Sequence, residues 1–302
     1  MTSLLITAIA DATPLILVAL GGLIAERAGV MSISLEGYML AGCFAAAAVS
    51  NSSGIWPAVA AAAAIGLIFA LIHGFLSITA RINQIIAGLA LNLLALGATA
   101  YANSLVFGVR NGKEVPSFGS FHIPVLGSIP LLGKVLFDQT VFTYFAAFVL
   151  VAVVVYFRRT RSGLSLHAVG ENPAAADARG IVVNRTRYRA VAISGVLAGL
   201  GGAALTIAVG NSFVDNVTQG RGYIALAAVV FAGWRPLGAA AACLLFGLAN
   251  AAQAWANVFN VHVSSELLAM APYVVTIIAL TALGRRGRAP GAIGLAYIRD
   301  QR

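Results

Sequence analysis

The amino-acid sequence predicts an all-α, polytopic membrane protein of about nine transmembrane helices, within a range of about eight to ten. Hydrophobic residues make up 60% of the 302 residues and charged residues only 10%, whereas soluble domains carry about 25% charged residues. Four stretches contain no Asp, Glu, Lys or Arg, namely residues 37–80, 82–109, 190–214 and 236–265. Each exceeds the roughly 20 apolar residues that one crossing requires, so the chain crosses the bilayer repeatedly.

Hydropathy and helix-breaking residues divide the chain into spans of a single transmembrane domain, residues 1–302. The predicted spans are 4–24, 35–50, 55–80, 84–106, 140–157, 190–210, 220–233, 236–255 and 266–284. The seventh span is too short for a regular crossing and ends in the breaker sequence Gly233-Trp234-Arg235-Pro236. Discontinuous helices are therefore expected.

Basic residues predict the orientation of the chain. The formal net charge is +9; residues 158–189 hold seven arginines, and five more follow Leu283. Cytoplasmic loops collect Lys and Arg, so both segments are predicted to be cytoplasmic, and the charge does not indicate nucleic-acid binding. Four predicted spans separate the two segments, and an even number of crossings keeps both on the same side of the membrane. The C-terminus is therefore predicted to be inside. Five predicted spans precede residue 158, so the N-terminus is predicted to be outside. In this orientation 15 of the 19 basic residues are cytoplasmic.

A weak internal repeat relates the two ends of the chain. Residues 36–39 and 54–57 read Glu-Gly-Tyr-Met and Gly-Ile-Trp-Pro, and residues 221–224 and 233–236 read Arg-Gly-Tyr-Ile and Gly-Trp-Arg-Pro. The two copies run in opposite directions across the membrane, so the repeat is predicted to be inverted, as in transporters whose substrate passes between the halves. Chance recurrence in an Ala-, Gly- and Leu-rich chain is the alternative. The predicted halves are residues 12–106 and 190–284.

The Arg-rich segment 158–189 contains a predicted short helix. Asn172 is a favourable N-cap, Pro173 suits the first helical position, and Gly180 is placed to end the helix. A helix of about two turns is unstable alone, so it is expected to dock on something. A cytoplasmic partner is one interpretation, and packing against the chain's own membrane domain is the other.

Five stretches occur in order along the chain: residues 12–42, 82–97, 123–137, the sequence HAVGENPAAADARGI at 167–181, and residues 220–239. Residues 167–181 resemble the cytoplasmic coupling segment of the permease subunits of ABC importers for branched-chain amino acids, simple sugars and nucleosides. The other four are similar to the nucleoside and simple-sugar branch of that family. Ser32 and Ser34 depart from this branch, which usually has Asn and Gly there, and the chain begins at what resembles the second helix of longer relatives.

The resemblance implies the membrane-spanning permease subunit of an ATP-driven importer that moves a nucleoside or simple sugar by alternating access. It implies cytoplasmic ABC ATPase subunits that bind ATP, an extracytoplasmic substrate-binding protein, and a second permease copy in a homodimer or related heterodimer. The expected location is the bacterial cytoplasmic membrane, in contact with membrane lipid. The residues expected to couple to the ATPase are Gly170, Glu171, Asn172, Pro173, Ala176, Gly180 and Ile181.

Polar residues and glycines inside the spans are candidates for the substrate pathway, because ionisable groups in a membrane are costly. Glu36 has three possible roles: accepting bonds from a substrate hydroxyl, capping backbone amides of a broken helix, or pairing with Arg27. Asn92 lies about two turns inside its span, whereas Asn83 and Gln84 lie near the cytoplasmic end and suit a gate or a cap. The predicted pathway residues are Glu36, Gly37, Asn92, Gly222 and Tyr223.

No phosphate-binding loop, HExxH motif or paired cysteines are present in the sequence, and four histidines fall on separate segments. Catalysis, a metal site and a cofactor in this chain are therefore not expected. The alternative function is an ion-coupled secondary transporter of a small polar solute, with Asp11 or Glu36 as the proton site. The proline-containing outer loop 107–138 is predicted to meet a binding protein or to cover the pore.

Overall fold

The computed structural model describes residues 2–108, 137–258 and 288–298, together with a few positions between 115 and 135 and residues 270 and 274. The described chain is mostly helical, which confirms the all-α prediction, and one short antiparallel strand pair is present. The helices are α1 (Thr2–Arg27), α2 (Leu35–Ser53), α3 (Ile55–Gly74), α4 (Gln84–Val106), α5 (Val141–Arg159), α6 (Arg161–Glu171), α7 (Pro173–Ala178), α8 (Val183–Ala204), α9 (Arg221–Phe231) and α10 (Pro236–Val258). The strands are β1 (Phe121–His122) and β2 (Asp138–Gln139).

Six of the described helices are long and apolar enough to cross a membrane, namely α1, α3, α4, α5, α8 and α10. They coincide with six predicted spans, so the multi-pass prediction is confirmed. Helices α2 and α9 occupy the second and seventh predicted spans. The last predicted span, 266–284, lies outside the described ranges, and the number nine stays a prediction. Helices α3 and α8 each end in a wider π-helical turn, Phe75–Thr79 and Leu205–Gly210.

Helix α8 lies at the centre of the bundle, and its glycines let neighbouring backbones approach closely. A Cβ atom on Gly199 would lie 2.2 Å from the Ala62 carbonyl oxygen of α3, and a Cβ on Gly66 would lie 2.2 Å from the Gly195 carbonyl oxygen. On the α1 side, a Cβ on Gly21 would lie 2.9 Å from the Ser194 carbonyl oxygen. These seams require glycine because backbone atoms fill the space of any side chain.

A comparable seam joins α10 to α1. A Cβ atom on Gly247 would lie 2.3 Å from the Ala8 carbonyl oxygen and 2.8 Å from the Ala12 Cβ. The predicted repeat also aligns residues 67–71, Leu-Ile-Phe-Ala-Leu, with residues 244–248, Leu-Leu-Phe-Gly-Leu, so Gly247 corresponds to Ala70. The Ala70 Cβ is the atom nearest to a Cβ placed on Gly195 in the α3–α8 seam. Corresponding positions of the two proposed halves therefore pack on the two central helices, α1 and α8.

The first turns of α2 and α9 meet inside the bundle. The Ser32 hydroxyl donates to the Gly22 carbonyl oxygen at 3.2 Å, so residues 28–34 run back along α1 before α2 begins. At the other end of α9, the Arg27 guanidinium donates to the Trp234 carbonyl oxygen, with Nε and Nη2 at 3.1 and 2.7 Å. Helix α9 rises about 15 Å from this end to Gly222, which equals about half the thickness of a bilayer core of roughly 30 Å.

The predicted helix break at residues 233–236 is present and is held by two side chains from the end of α1. Gly233 and Trp234 both have positive φ angles, 60° and 57°, which end α9 and turn the chain into α10. The Trp234 indole donates to Glu26 Oε2 at 2.6 Å, next to the Arg27 contact with the same residue. Glu26 and Arg27 therefore fix the turn between α9 and α10.

Candidate functional site

Glu36 joins the first turn of α2 to the first turn of α9. Its Oε1 accepts hydrogen bonds from the Thr218 hydroxyl at 2.5 Å and the Gly220 amide at 2.9 Å, and its Oε2 accepts one from the Gly222 amide at 2.7 Å. A carboxylate at a helix N-terminus satisfies free amides and is favoured by the helix dipole. Glu36 thus has the capping role among the predicted alternatives, and the helix that it caps is in the opposite half.

The predicted pairing of Glu36 with Arg27 is wrong. The Arg27 guanidinium donates to the Trp234 carbonyl oxygen. Glu36 instead accepts from the Gly222 amide, which lies twelve positions before Trp234, at the opposite end of α9. The physical reason is that residues 28–34 run back along α1, which separates the starting turn of α2 from the end of α1.

Asn92 connects three elements of the bundle. Its Oδ1 accepts a hydrogen bond from the Gly37 amide at 2.8 Å. Its Nδ2 donates to the Ile33 carbonyl oxygen at 2.9 Å and to the Tyr223 hydroxyl at 2.8 Å. Both amide protons and one acceptor position are therefore used within the protein, so Asn92 fixes α4 against α2 and α9.

The structure brings all five predicted pathway residues together. We call Glu36, Gly37, Asn92, Gly222 and Tyr223 the polar junction. A Cβ on Gly222 would lie 2.5 Å from the Glu36 Cα, and a Cβ on Gly37 would lie 2.9 Å from Asn92 Oδ1. Gly222 is therefore required by contact with the Glu36 backbone, and Gly37 by contact with the Asn92 side chain and the Leu91 carbonyl oxygen.

Exposure separates the residues of the polar junction into two groups. Glu36 and Asn92 are 7% and 8% exposed, and their hydrogen bonds are made within the protein. Tyr223 is 41% exposed, so a substantial part of its side chain is accessible. Tyr223 is therefore the junction residue with the surface to contact a ligand, while Glu36 and Asn92 position it.

The segment 211–220 also forms the site, although it was not predicted. Thr218, which donates to Glu36, is fully buried. Asn103 Nδ2 of α4 donates to Asp215 Oδ1 at 2.9 Å and ties the segment to the outer part of α4. Asn211 and Asn216 adopt φ angles of 49° and 56°, a left-handed conformation that asparagine tolerates. The Asn- and Gly-rich composition was the available signal for such a shaped loop.

Two further polar predictions concern the start of α4. Asn83 is its N-cap, since Oδ1 accepts from the Ile85 and Ile86 amides at 2.9 and 3.3 Å, which confirms the cap interpretation. The Gln84 Oε1 accepts from the Met31 amide at 2.8 Å and holds the segment before α2. These residues are structural in the described chain.

Residues 167–181, which we call the coupling segment after the family segment that they resemble, contain the predicted capped helix, α7. The Asn172 Oδ1 accepts from the Ala175 amide at 3.0 Å, and Gly180 ends the helix with a φ angle of +82°. Ala176 is buried together with Val169 and Val183, whereas Ala175 is exposed. The prediction missed α6, an eleven-residue helix immediately before α7. A signal for α6 was Thr160, whose hydroxyl oxygen accepts from the Gly163 amide at 3.0 Å.

Residues 288–298, the C-terminal segment, hold the coupling segment against the bundle. The Ala292 amide donates to the Gly170 carbonyl oxygen at 2.8 Å, and the Gly291 amide donates to Glu171 Oε2 at 3.2 Å. The Gly294 amide donates to the Gly29 carbonyl oxygen at 3.1 Å. The Arg187 Nη1 of α8 donates to the Leu295 carbonyl oxygen at 2.8 Å. These four contacts connect α6 with the ends of α1 and α8.

His167 lies at the same end of the molecule, on α6. Its ring makes an edge contact with Phe157 at a centroid distance of 4.8 Å. Burial lowers the pKa of His167 below its usual range, the charge on Arg27 lowers it further, and Glu171 acts in the opposite direction. The imidazole is therefore neutral at pH 7.

Within the part of the chain that the structure describes, no group of three or more His, Cys, Asp or Glu side chains could hold a metal ion. Cys43 and Cys243 are buried free thiols on separate helices. The polar groups of the site are arranged for hydrogen bonding between helices.

Comparison with known proteins identifies the family of the chain. Residues 4–283 match the family described as "Branched-chain amino acid transport system / permease component". The guanosine ABC transporter permease protein NupQ of Bacillus subtilis is 39% identical, with 96% of this chain and 95% of that protein aligned. The nucleoside ABC transporter permease protein NupC of Lactococcus lactis is 36% identical over 96% and 94%. The putative glucose ABC transporter permease protein TsgC13 of Haloferax volcanii is 39% identical over 80% and 74%.

The match covers nearly the whole chain, from α1 through the last predicted span. It confirms the resemblance carried by residues 12–42, 82–97, 167–181 and 220–239. The chain belongs to the family of permease components of branched-chain amino acid transport systems.

Proposed function

We propose that this chain is the membrane-spanning permease subunit of an ATP-driven ABC importer and that its substrate is a nucleoside. The observation that carries the proposal is the 36–39% identity, over 96% of this chain, to permeases named for guanosine and nucleosides. A simple sugar is the second substrate class, because a permease named for glucose is 39% identical over a shorter range.

The proposed pathway passes the polar junction. This site lies about halfway through the bilayer core, where transporters built from inverted repeats bind substrate. The exposed part of the Tyr223 side chain offers an aromatic surface on which a nucleobase can stack. In this proposal the halves 12–106 and 190–284 rock against each other about α1 and α8, and Glu36 keeps the first turns of α2 and α9 together during that motion.

Tyr223 gives a direct test of the pathway. Tyr223→Ala is expected to lower guanosine uptake at concentrations below saturation by about tenfold, because stacking of a base on an aromatic ring contributes about 1–3 kcal/mol of binding free energy. Tyr223→Phe keeps the ring and is expected to retain most of the rate. The control is Tyr101→Ala, which removes a 68% exposed tyrosine from α4. A full rate for Tyr223→Ala, or a tenfold loss in the control, would exclude this pathway.

We infer that the ATP-binding chains are separate subunits that dock on α7. Ala174, Ala175 and Ala178 present small exposed side chains on this helix, which permits close contact with a groove on a partner. One coupling segment per chain implies two permease chains in the complete importer, either identical or related. A substrate-binding protein meets the opposite face, and the arginine-rich side lies in the cytoplasm of a bacterial cell, with the N-terminus outside.

Ala175 tests the docking surface. Ala175→Glu is expected to abolish co-purification of the ATPase subunits, because it places a charge at the proposed contact without disturbing buried Ala176. Ser162→Glu is the matched control: it adds the same side chain at an exposed position in the first turn of α6, where an acidic residue favours the helix. Pull-down of an affinity-tagged chain measures the result. Equal ATPase recovery from both variants would contradict docking on α7.

Uptake measurements separate the ATP-driven importer from the ion-coupled alternative. In cells with ATP held constant, a protonophore is expected to leave guanosine uptake unchanged, and depletion of ATP is expected to abolish it. Unlabelled guanosine is expected to compete with the labelled substrate, whereas glucose is not. Loss of uptake with the protonophore alone would favour a proton-coupled transporter, and competition by glucose alone would assign the sugar class.

A further inference from the structure

A cavity of about 890 Å³ opens between the cytoplasmic ends of the described helices. Its walls come from the last turns of α5 and α9, the end of α1, the middle of α6 and the first turns of α10. It is separate from the polar junction, which lies about 15 Å away along α9.

The rim of this cavity is basic. Arg27, Arg158, Arg235 and His167 line it, and none of its described lining residues is acidic. Two of the three guanidinium nitrogens of Arg27 are held by the Trp234 carbonyl oxygen. The His167 Nε2 is buried and has no hydrogen-bond partner in the described structure. An anion between these side chains would relieve the repulsion among the arginines and could accept the imidazole N–H.

The wall below the rim is apolar and follows the axis of α10. Leu237, Ala241 and Leu245 are spaced by four residues on one face of the helix, so they form a track about 12 Å long. Val154 and Phe157 of α5 form the opposite side. Leu237 and Leu245 are 56% and 44% exposed. The track leads from the arginines toward the centre of the bilayer.

We propose that this cavity binds an anionic phospholipid of the cytoplasmic leaflet. The phosphate lies among Arg27, Arg158 and Arg235, and an acyl chain follows the track of Leu237, Ala241 and Leu245. A free phosphate would use the basic rim alone, whereas the lipid uses the rim and the track together. The predicted orientation places the cavity on the side where anionic lipids and cationic side chains attract each other.

Lipid titration of the full-length chain in detergent, followed by native mass spectrometry, tests the proposal. Wild-type chain is expected to bind phosphatidylglycerol more tightly than phosphatidylcholine. The double variant Arg158→Gln, Arg235→Gln is expected to weaken phosphatidylglycerol binding by about 30-fold, since each basic residue near anionic lipid contributes a factor of about five. The matched control, Arg159→Gln with Arg161→Gln, removes two exposed arginines outside the cavity and is expected to bind like wild type.

A second variant tests the track without changing charge. Ala241→Phe fills the groove and is expected to reduce phosphatidylglycerol binding, while size-exclusion chromatography checks that each variant remains folded. Inorganic phosphate at the same concentration is expected not to displace the lipid. Equal binding of the two lipids, equal loss in the arginine control, unchanged binding by Ala241→Phe, or displacement by inorganic phosphate would each overturn the proposal.

Discussion

Glu36→Ala is expected to lower the free energy of unfolding by about 3–5 kcal/mol, because it leaves buried donors without their acceptor. The donors are the Thr218 hydroxyl and the Gly220 and Gly222 amides, which all bind the Glu36 carboxylate. The same change removes the three hydrogen bonds of the Glu36 side chain that join α2 to α9 and to the segment before it. Thermal unfolding of the purified chain in detergent measures the stability, and guanosine uptake by cells measures the transport that should be lost with it.

Two milder variants show whether the carboxylate is the cause. Thr218→Val removes one donor at nearly constant shape and is expected to cost about 1 kcal/mol. Glu36→Asp keeps the charge but withdraws it by one methylene, so its stability should lie between that of Thr218→Val and that of Glu36→Ala. Wild-type unfolding temperature and uptake in Glu36→Ala would show that α9 does not depend on this cap.

Gly199→Val is expected to prevent correct packing of the central helix α8. A Cβ at this position would lie 2.2 Å from the Ala62 carbonyl oxygen and 3.0 Å from the Ala62 carbonyl carbon, and these backbone atoms cannot rotate away. Overpacking of a core costs about 1–3 kcal/mol, and the upper end is expected where the obstacle is another helix backbone. Aggregation of the variant in detergent and a lowered unfolding temperature are the measurable results.

The control for this substitution is Gly97→Val on α4. No atom of the described structure lies within 4 Å of a Cβ at Gly97. Because valine is a better helix former than glycine, the control should unfold at or slightly above the wild-type temperature. Equal destabilisation of both variants would indicate a general intolerance to valine and would contradict the role assigned to the α3–α8 seam.

The sequence predicted the parts of the molecule that depend on local composition. Runs without charge located α3, α4 and α10, and the Asn172 and Gly180 caps located α7. The polar junction was also predicted as a set, because the repeat placed Gly37 and Gly222 at equivalent points. Its Glu36 contact with α9 was not predicted, since a hydrogen bond over 186 positions depends on how the two halves pack.

The missed features have physical reasons as well. Helix α6 carries glycines and polar residues that resemble a loop, and its stability comes from packing and from the Thr160 cap. The π-helical turns that end α3 and α8 follow from packing of apolar residues without a distinctive pattern. The contacts of Arg187 and Glu171 with the C-terminal segment join residues more than 100 positions apart.

The C-terminal segment imposes an order on biosynthesis. Glu171 and Arg187 leave the ribosome long before Gly291 and Leu295, which follow them by 120 and 108 residues. At about 5–20 residues per second, the delay is roughly 6–24 s. During this interval α6 and α7 have been synthesised, but the C-terminal segment that holds them against α1 and α8 has not. The proposed docking surface on α7 is therefore held against the bundle only after the C-terminal segment has been made.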